Sequence, residues 1–375
     1  MLTKNHKRNA YVWMEIDLNA IQHNYKRFCE LVFPSVCAVV LKADAYGLGS
    51  KAIGDALFQV GCRHFFVSYL DEADALVQGI RNGNPSYGID RCAINKDQYL
   101  LFVLDGPFIG KWCKDVYSNR YIPVLNTIQN VIEWNDYAKY IGIKLPAVLH
   151  IDTGLYRLGL PYYEYEKFKN LVFDGIDWRF FMSHPVASAT PQHPANALQL
   201  RKIREIKADF PNIPFSYADT SGCLLGKGLH FDMVRIGLGL YGLNVQLAGL
   251  YNCLTIRGTI LQIQEVPKGC GIGYGWKFIT NSTKRIATVS CGYSDGVTEN
   301  SDLLFHNFII HDQAVPILGK VSMDLTVVDV TDVSNVQIGD IAIIFGQNLN
   351  QYCNNFLERN LTGFSNRIQR VFSSS

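Results

Sequence analysis

Val36-Cys37-Ala38-Val39-Val40-Leu41, followed at once by Lys42-Ala43-Asp44-Ala45-Tyr46-Gly47, is the stretch on which the fold turns. Six small or apolar residues, three of them valine, read as a buried strand. Apolar residues then resume at helical spacing over 51–60, which makes a βα unit.

Working outward, the same unit recurs. Further strand candidates are 65–69, 99–104, 121–125, 147–151, 180–183, 214–218 and 233–236, and with the first they number eight. Helical patterns fall between most of them, at 71–79, 127–140, 162–172 and 195–209. Eight βα repeats in about 240 residues match a closed parallel barrel better than an open sheet. The Gly/Asn/Pro-rich stretch 81–96 reads as a loop.

Past Gly242 the pattern changes. Segments 254–264, 285–290, 308–310, 314–317, 325–330 and 341–345 are strand-like and separated by Gly, Asn and Asp turns. The expected fold is therefore α/β, a (β/α)8 TIM-type barrel followed by a mostly antiparallel β-domain. Residues 1–10 read as a tail, 11–18 as a strand joining the β-domain, 19–245 as the barrel and 246–375 as the β-domain.

Bulk properties fit this division. At 375 residues the chain is long enough for a barrel of about 250 residues plus a smaller unit. Hydrophobic residues at 48% and charged residues at 18% exclude a disordered chain. The net charge of +2 comes from scattered basic residues, so no stripe points to nucleic acid or to a membrane surface. Residues 1–10 are polar, without the apolar core of a signal peptide, and no later stretch reaches the roughly 18 apolar residues of a membrane span, so the chain reads as cytoplasmic. Ten cysteines lie dispersed without a C-x-x-C pair, which reads as reduced, buried side chains and offers no zinc-ligand spacing.

Lys42 ends a buried strand, and a cation there needs a reason. The C-terminal mouth of a barrel is where catalytic side chains sit, and a partly desolvated lysine is a competent amine nucleophile. Taken alone, the same residue is equally well read as an ordinary lysine leaving a strand. Val40-Leu41-Lys42-Ala43-Asp44-Ala45-Tyr46-Gly47-Leu48-Gly49 resembles the cofactor-lysine motif of the alanine racemase family, V-x-K-A-x-A-Y-G-x-G, with Leu48 where the family often has histidine. The resemblance runs from Glu15-Ile16-Asp17-Leu18 to Arg367. It implies that Lys42 carries pyridoxal 5'-phosphate (PLP) covalently and that Tyr46 contacts the cofactor phosphate.

Further motifs carry further implied roles. Asp152-Thr153-Gly154-Leu155-Tyr156-Arg157-Leu158-Gly159 is similar to the family's D-T-G-x-x-R-L-G, and Arg157 there donates to the cofactor's phenolic oxygen and steadies the substrate carboxylate. His184 resembles the histidine packed beside the cofactor ring, and Arg235 the arginine set against the pyridine nitrogen. A guanidinium cannot readily hand that nitrogen a proton, which keeps the ring a weaker electron sink. Ser221, Gly237 and Leu238 match the phosphate cradle, at the loops after strands seven and eight where barrels often bind phosphate. Gly237-x-Gly239-x-x-Gly242 also fits a dinucleotide fingerprint, but no βαβ unit with a ribose-binding acid completes it.

Racemisation needs a second base on the opposite substrate face. Gly271-Ile272-Gly273-Tyr274-Gly275 resembles the family segment whose tyrosine enters the neighbouring subunit's site, so Tyr274 is implied as that base, with Lys42 the other. By itself, a tyrosine between glycines reads as a packing residue. Cys291-Gly292-Tyr293-Ser294-Asp295-Gly296 resembles I-G-Y-A-D-G and sets Tyr293 at the site entrance. Val321-Ser322-Met323-Asp324 resembles V-C-M-D, with the Met323 N–H on the substrate carboxylate and Asp324 close by. The resemblance thus implies a head-to-tail homodimer with shared sites, acting on a small amino acid and interconverting L- and D-alanine to supply peptidoglycan.

Two positions depart from the family. His150 stands where a lysine often steadies the arginine, leaving Arg157 to His150 or a bound anion. Asn366 stands where some members place a phosphate-contacting tyrosine. Competing readings are a racemase preferring serine, a barrel-type PLP amino-acid decarboxylase, and a non-catalytic PLP-binding carrier protein, the last lacking a second domain.

Overall fold

Eight parallel strands close on themselves in the computed structural model, which describes residues 11–80, 82–86, 97–243, 247, 249–297, 307–346 and 358–374. After an N-terminal strand, β1 (Val12–Asp17), they are β2 (Val36–Val40), β3 (His64–Val67), β4 (Gln98–Val103), β5 (Ile122–Leu125), β6 (Leu145–Asp152), β7 (Ile176–Met182), β8 (Phe215–Ser216) and β9 (Met233–Ile236). Each pairs with the next, and β9 returns to β2 with Met233 opposite Val36 and Ile236 opposite Val39. Helices Ser50–Gln59, Leu70–Gly79, Lys111–Ser118, Ile128–Ile141, Tyr162–Phe168 and Pro194–Asp209 connect them. This is a (β/α)8 barrel.

Side chains alternate across a strand, so every second residue points into the barrel. Ala38, Phe66, Leu100, Phe102, Ile122, Val124, Val148, Phe180, Met182 and Met233 meet there in one buried cluster. The Phe66 and Phe102 rings stack at 4.5 Å, and Phe180 meets Phe102 edge-on at 5.2 Å. The interior is filled, so ligands have room only at its ends.

The second unit gathers β1 and the chain from Tyr251 onward. Its strands are β10 (Leu254–Val266), β11 (Gly271–Ile272), β12 (Phe278–Ile279), β13 (Lys284–Val289), β14 (Asn307–Ile310), β15 (Gln313–Pro316), β16 (Thr326–Asp329), β17 (Ile341–Phe345) and β18 (Gln369–Ser373). The main sheet runs β15-β14-β17-β10-β1-β18, with β13 and β16 continuing from β10. Pairing is antiparallel except for β1 against β18, where Met14 faces Arg370. Met14, Ile16, Leu254, Ile256, Ile260, Ala287, Val289 and Ala342 are buried in it.

Two expectations need correction. Within the expected loop 81–96, Asn84–Pro85 forms a short strand beside Gln98 and Tyr99, because its backbone donors and acceptors complete the edge of β4. Residues 81 and 87–96, like the expected tail 1–10, lie outside the described residues. The helix expected over 162–172 ends at Phe168: Leu171 and Val172 are exposed and have no core to hold them in helical register.

Candidate active site

Continuing the inward alternation one step past the core cluster names the residues at the barrel's C-terminal mouth. Ala38 and Val40 lead to Lys42, Val124 to Asn126, Val148 to His150, Met182 to His184 and Met233 to Arg235. Five polar side chains thus cap an apolar barrel.

Lys42 is half-buried where β2 gives way to a tight left-handed turn. Ala43, Asp44, Ala45 and Tyr46 all have positive φ, between 51° and 60°. Left-handed backbone costs about 1–2 kcal/mol per non-glycine residue, so the surroundings must impose it. Glu72 accepts from the Ala43 N–H (2.7 Å) and the Ser68 N–H (2.7 Å), while Asp44 Oδ1 accepts from the Ser50 N–H and hydroxyl (both 2.7 Å). These carboxylates fix the direction in which the chain leaves Lys42 and where Tyr46 arrives.

Arg235 is 5% exposed. Its Nη1 donates to the Ser216 hydroxyl (2.5 Å) and its Nη2 to the Ser183 carbonyl (2.8 Å). Burial lowers its pKa to about 10, which leaves it a cation at neutral pH.

His150 is held by Asn126. The Asn126 Nδ2 donates to the carbonyls of Leu104 (2.9 Å) and Val124 (3.0 Å), so its Oδ1 must face His150 Nδ1 at 2.8 Å. The ring therefore carries its proton on Nδ1 and offers Nε2 as an acceptor. Burial, then the charge of Arg235, lowers its pKa to about 3. His184 is lowered to about 2, by burial first and then by Arg235, Arg157, His150 and Lys42. The charges of Arg235, Arg157 and Lys42 thus lie near one ring at the barrel mouth. Arg157 itself is exposed, and no hydrogen bond or ion pair holds its guanidinium among the described residues.

Two histidines held neutral, His150 buried and His184 half-buried, make stability depend on pH. Unfolding below about pH 6.5 lets both rings take up protons that the folded chain refuses. The stability they carry is present above that pH and is lost as the pH falls toward 3. Melting temperature is expected to drop between pH 6.5 and 4, with each ring contributing up to about 1.4 kcal/mol per pH unit. His150→Gln should flatten that slope in a pH series of thermal melts; an unchanged slope would mean that the ring is not buried neutral.

The loops after β8 and β9 meet at Thr220, whose Oγ1 accepts from the N–H groups of Gly237 and Gly239 (both 3.2 Å). Beside them the Ser221 hydroxyl and the Leu238 N–H have no hydrogen-bond partner among the described residues. A Cβ on Gly237 would sit 2.2 Å from the Tyr46 Oη, so glycine is what lets the phenol reach this loop. Gly237→Ala is expected to displace Tyr46 and weaken retention of a phosphate-bearing ligand on the order of tenfold, about 1.4 kcal/mol. Equilibrium dialysis against PLP measures it.

One contributor escaped the sequence reading. Gln199, buried on the Pro194–Asp209 helix, donates to the Thr153 hydroxyl (2.9 Å) and the His184 carbonyl (2.9 Å) and accepts from the Val186 N–H (2.9 Å) and the Tyr217 hydroxyl (3.1 Å). All four of its hydrogen-bonding positions are filled. It ties together the ends of β6, β7 and β8.

In the second unit, Tyr274 is 72% exposed at the tip of the β11–β12 hairpin, between glycines with φ of 69° and 67°. The hairpin lies against the segment leading to Met323, where a Cβ on Gly319 would meet the Ile272 carbonyl at 2.6 Å. Tyr293 and Met323 are exposed on adjoining loops, joined by the Tyr293 N–H to the Ser322 carbonyl (3.0 Å). Asp324 is ion-paired to Arg367 (2.7 Å), and Asn366 is exposed.

Comparison with known proteins follows this division. Residues 16–245 match the family model "Alanine racemase, N-terminal domain", and residues 253–372 match "Alanine racemase, C-terminal domain". The chain belongs to the alanine racemase family. Lys42, Arg157, His184 and Arg235 fall in the N-terminal racemase domain, and Tyr274, Tyr293, Met323 and Asp324 in the C-terminal one. An alanine racemase of Brucella canis is 32% identical over 96% of this chain and 93% of its own length. That of Rickettsia canadensis is 35% identical over 89% of each. A solved alanine racemase from Bartonella henselae with covalently bound pyridoxal phosphate is 29% identical, with a TM-score of 0.84 over 97% of this chain and 100% of that one.

Proposed function

We propose that this chain is a PLP-dependent alanine racemase that interconverts L- and D-alanine, with Lys42 as the cofactor's attachment point. The observation that carries the reading is the set of polar side chains that follow the inward-facing core positions at the barrel mouth, Lys42, Asn126, His150, His184 and Arg235, with Arg157 and Lys42 near enough for their charges to act on His184. The donor set fits the cofactor. The Ser221 hydroxyl and the Leu238 N–H offer a phosphate unspent donors beside the Gly237 turn that Tyr46 approaches, and Arg235 is a buried cation with guanidinium capacity left over.

When bound, the cofactor supplies an electron-withdrawing ring that acidifies the substrate Cα–H. Arg235, which keeps its own proton at neutral pH, would face the ring nitrogen and would leave the ring a weaker electron sink, limiting side reactions. His184 would pack beside the ring, and Arg157 would donate to the cofactor's phenolic oxygen and to the substrate carboxylate. The Lys42 Nζ exchanges the Cα proton on one face. Tyr274 of the partner subunit exchanges it on the other through its Oη. The Met323 N–H, unused by any hydrogen bond among the described residues, takes the carboxylate, with Asp324 next to it and Tyr293 at the entrance.

This division of labour makes 19–245 the cofactor-binding part and 246–375, with the strand at 11–18, the part that completes a neighbour's site in a head-to-tail homodimer. A cytoplasmic enzyme of this kind supplies D-alanine to peptidoglycan. No described helix is long and apolar enough to cross a membrane.

Chiral analysis of products from a panel of L-amino acids tests the reading. D-Alanine should dominate; release of carbon dioxide, or a stronger product from serine, would replace it.

A further inference from the structure

We propose that Arg367 is a positioning residue for substrate binding, which neutralises Asp324 and locks the 322–325 turn so that the Met323 N–H faces an incoming carboxylate. The inference rests on the reading above that Met323 receives that carboxylate.

Arg367 holds two loops at once. Its Nε and Nη2 donate to the two oxygens of Asp295 (2.6 and 2.9 Å), and its Nη1 donates to Asp324 Oδ1 (2.7 Å). The two acids differ in kind. Asp295 is 1% exposed and also accepts from the Gly292 N–H (2.9 Å), so it is a buried, fixed anchor for the half-exposed Arg367 guanidinium. Asp324 lies in solvent and is the part that bears on the ligand.

The loops are bound closely elsewhere too. The Ser294 N–H and hydroxyl both donate to the Met323 carbonyl (3.0 and 2.7 Å), and the Ser294 hydroxyl lies 3.2 Å from Asp324 Oδ1. A Cβ on Gly292 would come within 2.3 to 2.5 Å of the Met323 and Ser322 carbonyls and the Asp324 nitrogen, which leaves glycine as the only residue that fits. The peptide of Met323 is thus fixed through its carbonyl, while its N–H remains unspent.

Charge gives Arg367 its specific role. An N–H that is to bind a carboxylate stands one residue from the Asp324 carboxylate, which would repel the same ligand. Arg367 cancels that charge at 2.7 Å without competing for the N–H. A lysine could supply the charge, but its single nitrogen could not make the two-nitrogen fork to Asp295 and reach Asp324 as well.

The test compares holoenzyme of Arg367→Gln, Arg367→Lys and the double variant Arg367→Gln/Asp324→Asn with wild type. Racemisation of L-alanine gives KM and kcat, and calorimetry gives the Kd of propionate, which is alanine without its amine and cannot react. Arg367→Gln should raise both KM and the propionate Kd on the order of tenfold, with kcat changed less than about threefold and the visible absorption of the cofactor intact. Removing Asp324's charge as well should recover most of the propionate affinity, an effect that simple loosening of the fold would not produce. Arg367→Lys should fall between and depend more steeply on salt.

Unchanged KM and Kd in Arg367→Gln, a loss confined to kcat, or a double variant no better than the single one would overturn the proposal. Should Arg367→Gln fail to fold, Arg367→Lys decides, and an unchanged propionate Kd there overturns it. A wild type that binds propionate but does not racemise alanine would sink the functional reading and leave the propionate series to judge Arg367.

Discussion

Lys42→Ala is expected to give protein without visible cofactor absorption and with racemisation reduced by about 10⁴ or more. Two functions leave with one amine. The covalent hold on the cofactor goes, and so does the base on one substrate face. The fold should survive, because Lys42 is half-buried and the left-handed turn after it is held by Glu72 and Asp44 rather than by the lysine. Thermal melts near those of wild type would establish this. Adding a small amine such as methylamine should restore a fraction of turnover, since it can occupy the space of the deleted side chain and accept a proton there. Arg157, Arg235 and the donors near Gly237 remain, so PLP should still bind reversibly. Full visible absorption retained by Lys42→Ala after dialysis would place the attachment elsewhere.

How much of this was legible in the residues depended on the range over which they act. Barrel strands buried on both faces read as continuous apolar runs, so 36–41 and 147–151 announced themselves. The inward alternation that fills the barrel leads to Lys42, Asn126, His150, His184 and Arg235, but it shows only once the strands are in register, and the motifs had named all of these except Asn126. Gln199 was not findable in that way. It sits on an outer helix, where a polar residue normally faces water, and only the closed barrel brings Thr153, His184 and Tyr217 around it. The left-handed turn at 43–46 was equally hidden, because Ala43, Ala45 and Tyr46 do not favour positive φ and Asp44 visits it only as a single residue, not in a run of four. β18 reads as polar sequence and becomes a strand only because β1 offers it an edge. Arg367 and Asp295 are 72 residues apart, and nothing local marks either as the other's partner.

Tyr274→Phe should leave cofactor absorption and folding unchanged while turnover falls by about 10² to 10⁴, the usual worth of a general acid–base group. The exchange removes one oxygen and little else. Tyr274 is 72% exposed, so burial lost is small, and the hairpin is shaped by Gly273 and Gly275 rather than by the phenol. A racemase works in both directions, so a base missing from one face should not slow them alike in every step. Cα–H exchange with solvent deuterium from the enantiomer whose proton faces Lys42 should persist in Tyr274→Phe, while its conversion to the other hand is lost. The opposite enantiomer should lose both. Loss of exchange from both enantiomers together would show that the phenol acts on binding, and unchanged turnover would remove Tyr274 from the reaction.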